Sequence, residues 1–569
     1  DADFVLVDDG GTMKKITPAN LGIGGGGGGT TSETWGASLN GKLNLYATNN
    51  NFIIGNNNDV TQATEPAPNL TGSRNHIIGD SAGNSLTSGN DNVAIGRESL
   101  MTHTSGSYNT ALGNFALRNS TTSNDNTAIG YEALRNVTSG SYHTAIGFQA
   151  GDAITSASYN TIVGTYSGTN MTTGDSNTTL GTSAGYHIST ASSNVAIGRL
   201  TQYGNTGSYN TSLGYEAYRG SSSTSYNGGS YNVAIGYRTY RRTSGHSVDN
   251  YNTCVGTFSG SGIYSGDYNT FLGYNANPYY NNSSYAVAIG YNAKSNHLGS
   301  TTVGSTAGAS MYLQSDYTTL IGYGAGSDLD GGDHCTFVGV NSGYAGGSGN
   351  NNVGLGNYSV DALSSGYNNT GVGYGALSNV TSGWGNTGMG YFAGEDFTTG
   401  NGNTFIGYQA GGDTSSNYTG SSNTIIGFQA TASSTSAINE ITLGDAFISS
   451  LRCNQQTISS LSDRRDKTAI EDLDLGLDFI KAMRPVKFAW NRRDGGWHGR
   501  KEIGFIAQEL HEVEMDFNST DRTRLVSYEN PSKLEARPMS TYPILVKAIQ
   551  ELSAKVDSLQ ARITELEGA

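Results

Sequence analysis

The sequence predicts a mostly β protein: a trimeric shaft of stacked β-coils, a β-roll or β-helix built from 17-residue repeats, then a small α+β domain ending in a coiled coil. Three observations carry this expectation. A motif of the form N-T-A-I-G-Y-x-A recurs along most of the chain, most often every 17 residues. Gly accounts for 81 of 569 residues and hydrophobic residues for only 35 %, too little apolar surface for one large globular core. Near Leu451 the composition changes abruptly: Gly becomes scarce and charges dense. The 35 Tyr and 16 Phe are too many for a disordered tract, which leaves a repetitive structure held by backbone ladders.

Residues 1–50 read as an N-terminal connector. The stretch D-F-V-L-V-D-D-G-G-T-M-K-K-I-T predicts a hairpin with D-D-G-G as its turn. Gly24 to Gly29 form a run of six. No Lys-Ser/Thr follows and no strand–helix context surrounds it, so it reads as a flexible linker rather than a phosphate cradle. The sequence begins at Asp1 rather than Met, and an anchoring part is expected before it.

Residues 51–447 form the repeat shaft, with 23 units from the Gly at 55 to the Gly at 444. The residue before the motif Gly is Ile, Leu, Val or Met in all 23 units and is expected to be the inward anchor. The third residue after it is Ala, Ser or Thr in 21 of 23, small enough for close backbone approach. The Gly itself marks a corner that forbids a Cβ. Asn opens the motif in 17 of 23 units, and stacked Asn side chains can form a hydrogen-bonded ladder. S-G-S-Y and T-S-G-D stretches supply the turns. Each unit is therefore one coil that buries its anchor only by stacking on its neighbours. At about 4.8 Å per strand the stack would be a rod of roughly 110 Å. One aliphatic, one small and one aromatic residue per coil make a single chain marginal, so three chains are expected to share an axis. The unit resembles the N-S-V-A-I-G coils of trimeric adhesin heads, which also implies a homotrimer.

Residues 448–461 are a junction, 462–544 the α+β domain and 545–569 the coiled coil. In the last stretch Leu545, Ile549, Leu552, Val556, Leu559, Ile563 and Leu566 alternate spacings of four and three, a heptad seam. The segment from Leu461 to Glu565 resembles the intramolecular chaperone and auto-processing domain of phage tail spikes and fibres, peptidase family S74. The resemblance rests on S-D-R-R-x-K at 462–467, G-F-I-A-Q-E-L at 504–510, V-S-Y at 526–528 and A-I-Q-E-L at 548–552. It implies self-cleavage between Leu461 and Ser462, with Ser462 as nucleophile and Lys467 as general base. A Ser hydroxyl needs such a base, and Ser–Lys pairs are a known variant of the triad. Asp463 is expected to cap a helix or position the Ser backbone, and Arg464 and Arg465 are near enough in sequence to assist. Asp466 departs from the aliphatic residue common at its place, and the Pro often found after Q-E-L is absent.

The function implied is host attachment by a virion tail fibre or spike, made in the host cytoplasm. Its partners would be a cell-surface glycan or protein receptor, and other virion tail proteins through the missing N-terminal part. Aromatics just after the Gly, such as Tyr131, Phe148, Tyr374 and Tyr408, form either a packing ladder or a stripe that stacks on sugars. Tyr237, Tyr240, Tyr251, Tyr279, Tyr280 and Tyr285 lie in or beside longer insertions and are the receptor candidates, because loops carry function. A polysaccharide depolymerase is a second reading, with Asp328, Asp330 and Asp333 or Glu395 and Asp396 as candidate carboxylates. A bacterial trimeric adhesin is a third, opposed by the lack of membrane-barrel strands at the C-terminus.

The remaining composition narrows the classes. Net charge is −15, and residues 462–569 contribute −2 of it (17 basic, 19 acidic), leaving −13 for residues 1–461. With no basic stripe, nucleic acid is not an expected partner. Cys254, Cys335 and Cys453 are too far apart for a disulfide framework or a metal site. No 18-residue apolar run predicts membrane insertion, and no cofactor is expected.

Overall fold

The computed structural model describes residues 4–7, 13–16, 44–46, 50–55, 70–220, 228–241, 248–263, 265–279, 281–295, 298–310, 315–412, 417–448, 450–452, 462–491, 499–528 and 534–568. They fall into two compact units, Asp1–Tyr231 and Asn232–Ala569. The Gly run at 24–29 lies outside the described residues.

The first unit opens with an antiparallel hairpin, Phe4–Val7 against Met13–Ile16. A β-solenoid follows, in which each motif supplies one short parallel strand. Thr127–Ile129 lies between Thr110–Leu112 and Thr144–Ile146 in full register, with Ala128 opposite Ala111 and Ala145. At the start, Asn44–Tyr46 pairs antiparallel with Phe52–Gly55 and so covers the edge of the first coil, a place where an open strand invites unwanted pairing. The second unit continues the same architecture from Val233–Ile235 to Ile441–Leu443.

Asparagine sets which way each strand faces. Asn92 Oδ1 accepts both the backbone N–H and the Nδ2 of Asn109, each at 3.0 Å. Asn109 Oδ1 does the same for Asn126 at 3.1 Å, and Asn126 Nδ2 also donates to the Gly140 carbonyl. These side chains are fully buried and their amides are satisfied, which avoids the penalty of an unpaired buried polar group. In the second unit the ladder runs from Asn352 through Asn369, Asn386 and Asn403 to Asn423.

The strand's inward residue is not the expected one. Side chains alternate along a strand, so the residue two after the inward ladder residue (Asn in most coils, Cys335 in one) also points in. That residue is Ala94, Ala111, Ala128, Ile162, Phe271, Phe337 or Phe405, all fully buried. The aliphatic residue before the Gly, read from the sequence as the anchor, points out: Leu112, Ile146, Leu180, Met389, Ile406 and Ile426 are all exposed. The interior is instead filled by size complementarity. In three successive coils the strand contributes Ala and a Leu follows six residues on (Ala94 and Leu100, Ala111 and Leu117, Ala128 and Leu134, all buried), and in a later coil the buried Ala234 is followed by the buried Tyr240. Where the strand contributes Phe337, Gly343 follows, and a Cβ there would lie 2.5 Å from the Phe337 ring. The small residue three after the Gly is buried as expected, at Ala116, Ala133 and Ala376 among others.

The turns use backbone that ordinary residues seldom adopt. Glu132, Leu134 and Tyr142 all have φ between 52° and 62°, the left-handed region that costs an L-residue about 1–2 kcal/mol. The inversion aims successive N–H groups at alternate neighbours. Glu132 N–H donates back to Asn114 O at 3.0 Å, while Leu134 N–H donates forward to Ala150 O at 3.0 Å. Inter-coil hydrogen bonds thereby offset local strain.

Beyond the solenoid comes a small α+β region. Helix α1 (Leu477–Ala482) is followed by the antiparallel pair Val486–Ala489 and Lys501–Gly504. Helices α2 (Ala507–Asp516) and α3 (Thr520–Thr523) precede a short pair, Val526–Ser527 with Glu535–Ala536, and the long α4 (Tyr542–Glu567). Its core gathers Leu475, Phe479, Met483, Leu510, Val513, Leu525, Val526 and Ile544. Glu551 on α4 accepts the Leu477 N–H at 2.7 Å, satisfying a donor of the first turn of α1. The heptad residues from Leu545 to Leu566 are exposed, whereas Ile544 and Ala548 dock on the domain.

Candidate functional site

Ser462 and Lys467 are five residues apart, a span of up to about 17 Å in extended chain. A tight turn closes that distance. Asp463 caps a single 3-10 turn, Arg464–Asp466: its Oδ1 accepts the Arg465 N–H at 2.8 Å, the capping role expected of a short acidic side chain. Lys467 N–H donates to Arg464 O at 3.2 Å. The chain is thereby folded back, and Lys467 Nζ donates to Ser462 Oγ at 2.6 Å. A nucleophile hydrogen-bonded to its prospective base is the arrangement nucleophilic catalysis requires.

The structure gives the surrounding charges a direction that their nearness in sequence had left open. Arg465 forms a two-pronged pair with Asp463, at 2.6 Å from Nη2 to Oδ2 and 3.1 Å from Nε. That contact holds the Asp463 carboxyl below the usual carboxylate range. The Arg465 charge is thus spent on Asp463 rather than turned to Lys467. Arg464 contributes its carbonyl to the turn, and its side chain is exposed. Ser462 and Lys467 are themselves exposed in the single chain. Leu461, the other side of the expected scissile bond, lies outside the described residues.

The candidate receptor tyrosines divide. Tyr240 is fully buried, with its hydroxyl donating to Asp249 Oδ2 at 2.6 Å and accepting from Asn252 Nδ2 at 2.8 Å. It is an interior strut, so its place among the receptor contacts is corrected. Tyr251 and Tyr285 are exposed but sandwich Tyr268, with centroids 4.9 and 5.1 Å apart and near-parallel rings. Tyr237 is exposed, with Phe258 edge-on and the Arg238 guanidinium over its ring. Tyr279 is half-buried beneath Lys294 Nζ. Tyr280 lies outside the described residues. Rings in the column after the Gly stack likewise, as in Tyr374, Tyr391, Tyr408 and Phe428 at 5.1–5.3 Å. Sugar stacking needs a ring face, and within these columns the neighbouring rings occupy the faces.

A β-solenoid followed by an α+β region that begins with a Ser–Lys pair is consistent with a tail-spike or tail-fibre type of protein. Residues 462–519 match the Peptidase_S74 family, described as the chaperone of endosialidase, and the match begins at Ser462 itself. No curated protein matches the chain, and no solved structure does.

One feature had gone unread. The outward aliphatic column was legible from parity: an inward Asn four before the Gly places the residue one before it on the outer face. The Asp463 cap was read from the sequence and is present, but the closure it enforces was not.

Proposed function

We propose that this chain is the shaft and assembly end of a homotrimeric virion tail fibre or spike that attaches to the host cell. In this reading residues 462–569 drive trimerisation and then cut themselves off between Leu461 and Ser462. The observation that carries it is the 2.6 Å Lys467–Ser462 hydrogen bond at the first residue of the family match.

Two exposed apolar surfaces support the trimer. Within each unit, exposed aliphatic residues before the motif Gly and exposed aromatics after it recur on successive coils, and exposed apolar residues gathered in a patch rather than scattered mark an interaction surface. The heptad seam of α4 is equally uncovered, and such a seam is a helix-pairing surface. The seam would gather three chains first and set one register among many near-equivalent ones. Scission afterwards would leave the shaft kinetically trapped.

Chemically, Ser462 Oγ attacks the Leu461 carbonyl carbon. Lys467 must be neutral to take the hydroxyl proton and then returns it to the departing Ser462 amine, leaving an ester that water opens. Mass measurement of the purified oligomer tests the reading. Three shafts ending at Leu461 are expected; single chains of 569 residues would overturn it.

A further inference from the structure

Two successive coils depart from a rule that most of the shaft keeps; Leu298 and Ile438 depart from it too, but with aliphatic side chains. Two residues before the ladder Asn there is usually Ser, Asn or Asp, whose oxygen accepts an N–H from the preceding coil. Ser141 Oγ accepts from Asn124 at 3.0 Å, and Asn350 Oδ1 accepts from Asp333 at 2.9 Å. Tyr367 and Trp384 hold this place in successive coils. Neither offers the accepting oxygen, and both remain exposed, at 43 % and 45 %. The substitution forgoes an inter-coil hydrogen bond and gains little burial, so packing does not account for it.

The ring faces are unequally covered. Trp384 lies flat on Tyr367, with centroids 5.8 Å apart and planes within 6°. On the side of the next coil no ring meets it among the described residues. The chain there reads Asn401-Gly402. A Cβ added at Gly385 would come no closer than 3.9 Å to anything outside its chain neighbours, and at Gly402 it would meet only Ser422 Oγ, at 3.9 Å. Beside this notch Asn401 is held in place: its Oδ1 accepts the Trp384 N–H at 3.0 Å and its N–H donates to Ser421 Oγ at 3.0 Å. Its Nδ2 group has no partner among the described residues, and the Ser422 side chain is exposed. The result is a rigid indole face with an amide donor and a hydroxyl at its rim.

Charge narrows what would sit there. Residues 295–451 contain no Lys or Arg and ten Asp or Glu. An anionic glycan would find no counter-charge and would be repelled, whereas the C–H face of a neutral sugar needs only an aromatic platform and a few hydrogen-bonding groups. We propose that Trp384, on its Tyr367 support, is a stacking platform for a neutral hexose of a cell-surface glycan, with Asn401 Nδ2 and Ser422 Oγ binding sugar hydroxyls. The proposal rests on the attachment reading above and gives it a site.

Fluorine NMR of the full chain carrying fluorotryptophan, titrated with maltohexaose, mannohexaose and galactohexaose, tests it, with polysialic acid as the anionic comparison. At least one neutral hexaose should move the resonance that Trp384→Phe removes. By calorimetry, Trp384→Ala should weaken that sugar by about tenfold or more, and Trp384→Tyr should retain most of the affinity. The proposal is overturned if no neutral hexaose moves that resonance, if only polysialic acid does, or if Trp384→Ala binds as tightly as the parent. Adsorption to bacteria separates the two readings. Shafts that adsorb but bind no hexaose remove the site and leave attachment standing. Shafts that bind a hexaose through Trp384 but adsorb to no bacterium remove attachment and leave the site.

Discussion

His143 Nδ1 accepts the backbone N–H of Asn160 at 3.3 Å, and so performs for the next coil the task that Asn126 Oδ1 performs for His143 at 2.9 Å. The other ring nitrogen, Nε2, donates to Ala157 O at 2.7 Å, as the ladder asparagines donate through Nδ2. The imidazole is therefore a neutral Nε2–H tautomer doing the work of a carboxamide. A proton on Nδ1 would face the Asn160 N–H and break the ladder.

Acid sensitivity follows from that tautomer. Burial lowers the affinity of His143 for a proton, outweighing its bonds to Ala157 and Asn160 and the distant Asp175 charge; His103, buried in the same unit, is lowered likewise. Above the ordinary histidine value of about 6.5 both residues are neutral in folded and unfolded chains, and their contribution is fully present. As pH falls below that value the unfolded chain takes up protons first, and stability is lost until the lowered folded pKa values are reached. His143→Asn should restore an amide to the ladder and shrink the loss. Urea unfolding of the shaft at pH 7.5 and pH 5 checks this, and an undiminished loss in the variant would contradict it.

Two glycines should respond very differently to alanine. Gly130 has φ +134°, and a Cβ there would lie 2.3 Å from Gly147 O, a backbone atom of the next coil. Neither strain nor clash can relax without parting the coils, so Gly130→Ala should cost on the order of 4 kcal/mol and sharply reduce soluble yield. Gly385 has φ +67° and open space around it, so Gly385→Ala should cost only about 1 kcal/mol. Chemical denaturation of the two variants side by side measures the contrast; equal losses would mean that inter-coil approach does not decide the Gly positions.

The strand positions, the Asn ladder and the Gly corners were legible because each recurs at one place in every unit, and a period survives local noise. The direction of the aliphatic residue was misread because bulk was taken as the sign of burial. A solenoid interior is narrow, so Ala128 goes in and Ile129 goes out. Glu132, Leu134 and Tyr142 gave no sign of left-handed backbone, since propensity alone would place Gly or Asn there. Ser462 and Lys467 were legible as a pair by resemblance, but the Asp463 cap that brings them together belongs to the fold.

Face should decide the outcome of a substitution within a single strand. Phe405 is fully buried and packs at a tilt against Phe397 with centroids 4.2 Å apart, whereas its neighbour Ile406 points outward. Phe405→Ala should open a cavity worth about 3–5 kcal/mol and lower the melting temperature of the shaft whatever its oligomeric state. Ile406→Lys paired with Ile426→Lys should leave each coil's interior intact but place charge on the proposed inter-chain face. Light scattering should then report a loss of trimer with β content preserved by circular dichroism. Retention of a trimer by the double Lys variant would move the interface elsewhere.

Cleavage should grade with the geometry of the turn at Ser462. Ser462→Ala removes the nucleophile and Lys467→Ala the base, and both should leave the chain at full length on a denaturing gel. Lys467→Arg keeps the charge but cannot deprotonate, so it should behave like the Ala variant if Lys467 is a base and like the parent if it merely orients the hydroxyl. Asp463→Ala leaves both reacting groups in place and removes only the cap, a loss of about 0.5–2 kcal/mol in the closed turn. Cleavage should therefore slow by roughly two- to thirtyfold yet still reach completion. A parent-like rate for Asp463→Ala would mean that something other than the capped turn brings Lys467 within 2.6 Å of Ser462, since the five-residue separation alone does not.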